Sequence, residues 1–377
     1  MACRIFHLWQ NCSGIIFTAE LRMAAGKQQV AGITDVARRA GVSASTVSRF
    51  FNAPDKVGAK ARARIEAAVE ALGYVRNRVA GSLHNRRSGA IGLVVPTVDN
   101  AIFAEMIEAF ATRLLDHDYM MLIASHGYDL ALETVLVRTL LERRADAVAL
   151  VGLDHAPETL DLLAARDVPF LYLWAHAASA PHPCIGVDNF DAGWRVTRHL
   201  IDLGHREIAL VFGETAANDR ARARLEGARR ALAEAGLETP PDWQVECRYD
   251  IGAAKTLCQR LLTGRRRPGA IVCGNDIIAQ GAIFAAQSLG RRVPEDLSVV
   301  GIGDFRGSAH IEPGLTTVRI PARRIGAAAA DAVIKMIARR EQGAGDGAEE
   351  GAGEGLSVLI EPDLRIRGSA RSLLPQD

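Results

Sequence analysis

Long apolar runs are missing from this 377-residue chain. None approaches the roughly 18 residues that a membrane-spanning helix needs, so no membrane partner is expected. Cysteine is scarce and unpatterned. Cys3, Cys12, Cys184, Cys247, Cys258 and Cys273 form no C-x-x-C pair and have no histidine at ligand spacing. That argues against a zinc framework and predicts reduced, mostly packed thiols in a cytoplasmic protein. Catalytic signatures are absent too. There is no G-x-x-x-x-G-K-[ST], no G-x-S-x-G, and the ten histidines form no H-E-x-x-H. The glycines of VGIGDFRG have no dinucleotide fingerprint around them. The expectation is a protein that is not an enzyme and that needs no metal and no cofactor.

What is present is an ordinary globular composition with an uneven distribution of charge. Hydrophobic residues make up 49% and charged residues 24% of the chain, which suits two or three domains. Net charge is +1 overall. Between Val30 and Gly89 eleven Lys/Arg face four Asp/Glu, net +7, whereas the remainder holds 34 basic and 40 acidic residues, net −6. A basic head on an acidic body points to a polyanion as the partner of the head. Residues 1–29 lack a basic cluster followed by a continuous apolar core, so they read as a poorly ordered extension rather than a secretory signal.

The head, residues 30–76, is built from helix signals. Thr34 is placed to cap a first helix that runs to Ala40, with Asp35 suited to its positive end. Gly41 can take the left-handed conformation that ends a helix. Ser43 can cap the next helix, Ala44 to Phe51. That helix exposes Ala44, Ser45, Ser48 and Arg49 and buries Val47 with Phe50 or Phe51. Helix, tight glycine turn and a second helix with a small polar face is a helix-turn-helix pattern, although an ordinary helical hairpin shares it. The small face can enter a major groove, where Arg49 can donate two hydrogen bonds to a guanine edge. Ile65, Val69 and Leu72 give a third helix, Ala59 to Leu72, its apolar spacing, and Gly73 stops it. Residues 77–89 follow as a short arginine-rich connection.

VARRAGVSASTVSRFFN, VGAKARARIEAAVEALGY and NRVAGSL together resemble the head and hinge of the lactose-repressor (LacI/GalR) family of bacterial transcription regulators. The resemblance runs without gaps from Ile33 to Leu83 and continues to about Ser369. It implies a homodimer on a pseudopalindromic operator, with Thr34, Ser43, Ala44, Ser45, Thr46, Ser48, Arg49 and Asn52 at the DNA. It further implies that Asn77, Arg78 and Ala80 open a hinge helix that forms on operator DNA, and that Leu83 wedges into the minor groove. Gly58 stands where the family usually has a serine cap, a loss of about a few tenths of a kcal/mol. Gly81 stands where many members carry Arg or Gln and disfavours helix by about 1 kcal/mol.

From Ala90 the period changes. Apolar runs at 91–96, 120–125, 147–152 and 170–174 alternate with helical stretches near 103–117, 130–143 and 157–166. The pattern restarts after 184–188, with helices at 191–203, 220–235, 251–262 and 276–289 between strands at 207–213, 244–248, 270–275 and 297–304. Continuous apolar strands alternating with helices predict parallel sheets covered on both faces. The fold class is α/β: the three-helix head followed by a two-lobed, periplasmic-binding-protein-like core of doubly wound parallel sheets at 90–370. The family resemblance implies that the chain crosses between lobes three times. The first lobe then covers about 90–188 and 319–340, the second about 189–318 and 356–370. Glu341 to Gly355 is acidic and glycine-rich and reads as a flexible loop; residues 371–377 form a tail.

Ligands in such sheets sit beyond the carboxyl ends of the strands. The residues there are Asn100, Phe103, His126, Trp174, Asp188, Arg224, Asn275 and Asp304. Each could equally be a loop-end residue capping a helix, as Asn275 or Asp276 could cap 276–289. The resemblance implies that Arg224 grips effector hydroxyls or carboxylates and that Asn275 binds effector. Trp174 and Gly303 stand where the family often has Asp. Two fewer carboxylates beside Arg224 removes repulsion against an anion. NAIFAEM, SHGYD, VDNF and VSRFFNAP are similar to family members that govern gluconate operons. The functional expectation is therefore a repressor controlled by a small-molecule effector, a sugar or sugar acid such as gluconate. The rival readings are a sugar-binding transport receptor, which shares the two-lobed fold, and a cytoplasmic α/β enzyme. Leu83→Ala is expected to weaken binding to operator more than to random DNA in a mobility-shift titration; equal losses on both contradict the wedge.

Overall fold

The computed structural model describes residues 31–76, 87–342 and 356–375. The expectations for residues 1–29, for the hinge positions Asn77, Arg78, Ala80 and Leu83 with Gly81, and for the loop from 343 to 355 lie outside the described residues. The chain divides into two compact units, with the break after residue 81.

The first unit is a three-helix head. α1 spans Ile33–Ala40, α2 Ala44–Asn52 and α3 Ala59–Leu72. Thr34 does not cap α1. Gly32 holds the cap position, and its N–H donates to the Asp35 carboxylate at 2.9 Å, so Thr34 lies one residue inside the helix. Asp35 is the acid in the first turn, as its charge suits. Gly41 ends α1 in the left-handed region at φ 62°. Ser43 accepts from the Thr46 N–H at 3.2 Å and starts α2. Val36, Ala37, Ala40, Val47, Val57, Ile65 and Ala68 close the core, with Phe50, Phe51, Val69, Leu72 and Tyr74 packed partly against it.

The second unit has two sheets. The first comprises β1 (Ala90–Val95), β2 (Met120–Ser125), β3 (Ala147–Val151), β4 (Phe170–Ala175), β5 (Cys184–Val187) and β11 (Val358–Leu359). Their order is β11-β5-β4-β3-β1-β2, and every pairing is parallel. The second comprises β6 (Ile208–Gly213), β7 (Gln244–Cys247), β8 (Ala270–Cys273), β9 (Ser298–Gly303), β10 (Thr316–Arg319) and β12 (Asp363–Arg365). Their order is β12-β10-β9-β8-β6-β7, with β12 antiparallel. Fully buried runs such as AVALV and IALVFG form central strands because helices cover both faces. MMLIAS reads from sequence as another such run. It is instead the edge strand β2, with Met120 and Ile123 exposed.

α4 (Ala101–Leu115), α5 (Leu130–Glu142), α6 (Pro157–Ala165) and α11 (Ala322–Glu341) belong to the first lobe. α7 (Asn189–Asp202), α8 (Asp219–Glu234), α9 (Ile251–Thr263) and α10 (Asp276–Ser288) belong to the second. The chain passes between lobes after β5, after β10 and between β11 and β12. The expectation placed 356–370 wholly in the second lobe. The pairing of Val358 with Ile185 puts that pair in the first sheet and moves the last crossing to 360–362.

One glycine matters to the site. A Cβ on Gly193 of α7 would fall well inside contact with the Arg224 carbonyl of α8. Only glycine lets these helices approach so closely, and their contact sets where the Arg224 backbone sits. Gly193→Ala is expected to cost about 1–3 kcal/mol from overpacking, read as a lower urea midpoint with the slope unchanged; Gly307→Ala, at an open position in the same unit, is the control. Equal midpoints for Gly193→Ala and the unchanged chain contradict this.

Candidate functional site

Parallel strands deliver the loops after their carboxyl ends to the same edge of a sheet. In the second unit both sheets do so, and the loops meet at a small, nearly closed cavity between the lobes. Asn100 and Phe103 arrive from the start of α4, Tyr128 from the turn before α5, and Trp174 from β4. Asn218, Arg220 and Arg224 come from the start of α8, Tyr249 follows β7, Asn275 caps α10, and Phe305 follows β9. Five of the eight residues expected at the ligand therefore do line the cavity: Asn100, Phe103, Trp174, Arg224 and Asn275.

Arg224 is almost wholly buried. Its Nε donates to Asn189 Oδ1 at 2.8 Å and its Nη1 to the Gly274 carbonyl at 3.1 Å. Both partners are neutral, and no ion pair to Arg224 occurs among the described residues. Burial pulls its pKa below the ordinary guanidinium value. Arg220 stands one turn earlier. Its Nη1 donates to Asp219 Oδ1 at 2.7 Å and to the Val151 carbonyl at 3.2 Å. Of these two buried cations, Arg220 alone is paired with a carboxylate among the described residues.

Asn275 fills the expected cap role with one atom and leaves another free. Its Oδ1 accepts from the Ile278 N–H at 3.0 Å and caps α10, while its buried Nδ2 has no partner. A buried donor left unmet costs about 1–3 kcal/mol, so a ligand acceptor is the natural complement. The walls are aromatic. Phe103 and Trp174 have ring centroids 4.8 Å apart, and Tyr128 and Tyr249 face each other across the lobes at 6.3 Å. Trp174 holds φ at 74°, a conformation that a bulky residue adopts only when its surroundings enforce it. Asn189 Nδ2 donates to its carbonyl at 3.3 Å and holds that backbone. Burial raises the Tyr128 hydroxyl above its ordinary pKa.

Three expected residues lie elsewhere. Asp188 caps α7 by accepting from the Asp191 N–H at 3.0 Å and opens on outer grooves. Asp304 faces away and accepts from Arg367 Nη2 at 2.6 Å. His126 is buried behind the first-lobe wall, its Nε2 3.7 Å from Glu133. Burial lowers its pKa. Reading strand ends from sequence does not distinguish a side chain that turns into the cleft from one that turns to a helix end or an arginine outside it.

Sequence reasoning missed Arg220, Asn218, Tyr128, Tyr249, Phe305 and Asp276. A signal existed for Arg220. In D-R-A-R-A-R, Arg220 and Arg224 are four apart and share a helix face, whereas Arg222 points away to Asp154. Asp276 is fully buried and accepts from the Phe305 N–H at 3.0 Å, Ser308 Oγ at 2.5 Å and Thr317 Oγ1 at 2.6 Å. It fixes the loop that carries Phe305, and no local pattern announces that. Among the described residues no three His, Cys, Asp or Glu gather as metal ligands.

In the head, the α2 face presents Ser45 and Arg49 exposed, with Ala44, Thr46 and Ser48 partly exposed. The Arg49 side chain makes no hydrogen bond or ion pair among the described residues. Ser43 spends its hydroxyl on the cap and on contacts at 2.8 Å with the Ser45 and Thr46 hydroxyls. Asn52 donates to Ser48 Oγ at 3.3 Å and accepts from Arg76, whose guanidinium lies over the Phe51 ring.

Residues 32–77 match the family described as bacterial regulatory proteins, lacI family. Residues 88–351 match the family described as periplasmic binding proteins and sugar binding domain of LacI family. The HTH-type transcriptional repressor PurR of Haemophilus influenzae is 31% identical over 345 residues, 92% of this chain and 100% of that protein. The lac repressor dimer bound to operator and the anti-inducer ONPF superposes with a TM-score of 0.78 at 27% identity, covering 90% of this chain and 99% of that one. The transcription regulator GntR from Chromobacterium violaceum gives 0.67 at 30% identity, covering 74% and 99%.

The free, exposed guanidinium on α2 leads to a direct expectation. Arg49→Ala should cost about 1–3 kcal/mol on the preferred DNA and relax the preference at one base position. Competition mobility shifts measure both; an unchanged ratio of operator to random DNA affinity contradicts a base contact.

Proposed function

From the premise that this chain belongs to the LacI family, as a DNA-binding transcriptional repressor with a ligand-binding core, we propose that its effector is a sugar acid such as gluconate. The observation that carries the reading is Arg224, a buried guanidinium with only neutral partners. An uncompensated buried charge costs several kcal/mol. A ligand carboxylate would offset that cost through charge-assisted hydrogen bonds. The free Asn275 amide would take one ligand oxygen, and the Asn218 and Tyr249 polar atoms border the same space for hydroxyls. Trp174 and Gly303 add no carboxylate to repel it.

The rest of the reading follows the family. Two heads of a homodimer read a pseudopalindromic operator through α2, with Arg49 as the principal base contact. Each lobe carries apolar residues that a second copy would cover: Met120 and Ile123 on the edge strand β2, and Ile251 and Phe284 on α9 and α10. Effector binding changes lobe closure and thereby the order of the hinge, which makes operator and effector affinities reciprocally linked. Acting on the chromosome places the protein in the cytoplasm. No helix among the described residues is long and apolar enough to cross a membrane.

The aromatic walls favour one second reading, a flat heterocycle stacked between Phe103 or Trp174 and the tyrosines. Calorimetry separates the two. Gluconate should bind more tightly than glucose, which lacks the carboxylate, and more tightly than a purine base. Arg224→Met should abolish the preference for gluconate over glucose. Glucose or a purine base binding more tightly than gluconate overturns the sugar-acid reading.

A further inference from the structure

Arg224 and Arg220 both line the cavity, yet they differ in what they hold. Arg224 bonds only to Asn189 and Gly274, both in the second lobe. Arg220 starts from the second lobe and ends on the first. Its Nη1 donates to the Val151 carbonyl at the end of β3, at 3.2 Å, and it lines the same cavity as Tyr128 on the turn before α5. Gly152 makes the docking possible. It lies at φ 107°, and a Cβ there would collide with Arg220 Nη1. Asp219 at 2.7 Å keeps the guanidinium paired within its own lobe. The pair is shielded from solvent: Arg220 is 6% exposed and the Asp219 side chain 11%.

A second arginine on the same helix gives the contrast. Arg222 also bridges the lobes, through both Asp154 oxygens at 2.8 and 2.9 Å, but on the solvent side. Its side chain is 44% exposed and it does not line the cavity. Exposed ion pairs contribute little, whereas a buried charge with fixed partners contributes or withholds much more. Of these two bridges, Arg220 is the one whose partners a ligand in the cavity can change. An anion there competes with Asp219 for the guanidinium and alters how firmly it can hold Val151.

We propose that Arg220 converts the charge of the bound ligand into lobe closure, acting as the coupling residue while Arg224 acts as the affinity residue. This goes beyond the choice of effector. Its ligand arm rests on the sugar-acid reading; its ligand-free arm does not, because the bridge to Val151 exists in the chain alone.

The test uses the full-length chain with Arg220→Met, Arg224→Met and Arg222→Gln. Without ligand, hydrogen exchange followed by mass spectrometry should show faster exchange in 151–156 and 126–130 for Arg220→Met. Those segments lie across the cleft from the substitution. Arg222→Gln should match the unchanged chain there. With gluconate as the probe, the ratio of operator affinities with and without ligand should fall to near one for Arg220→Met. The same variant should keep its gluconate affinity within about tenfold, whereas Arg224→Met loses more. If Arg220→Met fails to fold, Arg220→Lys should give faster exchange across the cleft and an intermediate ratio, since lysine keeps the charge but not the fork of donors. Unchanged exchange across the cleft in the Arg220 variant overturns the proposal. So does an unchanged operator ratio, or a gluconate loss as large as that of Arg224→Met. If the unchanged chain ignores gluconate while Arg220→Met still exchanges faster across the cleft, the sugar-acid reading has failed and the bridge stands.

Discussion

The ligand-binding half of the molecule is built around a guanidinium buried with only neutral partners. Placing Arg224 needs a helix close enough to α7 to bring its backbone against Gly193. It needs Asn189 to receive its Nε and the Gly274 carbonyl to receive its Nη1. Asn189, just past the crossing from the first sheet, in turn holds the Trp174 carbonyl on β4, where the chain has a positive φ. Helix packing, crossover and cavity wall therefore meet at one residue. A core of apolar side chains would be more stable without it. On the proposed reading, the charge is half of an interaction whose other half arrives with the ligand.

Much of this was legible from the sequence. Apolar runs alternating with helices announce parallel sheets, and their strand ends announce where to look. Arg224, Asn275, Phe103, Trp174 and Asn100 were found that way and do share a cavity. The failures have a common physical origin. Strand-end position says that a residue is near the cleft, and side-chain direction decides whether it enters. Asp188 turns back to its own helix N-terminus, and Asp304 turns to Arg367, more than sixty residues away in sequence. Tyr128, Tyr249 and Phe305 were invisible because they enter from turns whose geometry depends on distant partners. The Phe305 turn is held by the buried Asp276 carboxylate. In the head, α3 and the Ser43 cap followed from local chemistry. The first cap did not, because a glycine N–H paired with Asp35 serves as well as a threonine hydroxyl.

The comparisons and the geometry divide the functional account between them. The family match gives a repressor with a DNA-binding head and a ligand-binding core. It leaves the effector open. The charge of the cavity narrows it, because effector classes differ most sharply in whether they bring an anion. The two arginines four residues apart on α8 are proposed to divide binding from transmission. One is anchored wholly in the second lobe, and the other reaches a first-lobe carbonyl.

The central claim is that an anionic ligand in this cavity changes how tightly the head holds DNA. The most direct measurement is the affinity of the unchanged full-length chain for its operator, at fixed salt, across a gluconate titration. The account predicts a shift of about fivefold or more that saturates with gluconate and is not reproduced by equal glucose. An operator affinity that stays flat across the gluconate titration contradicts it.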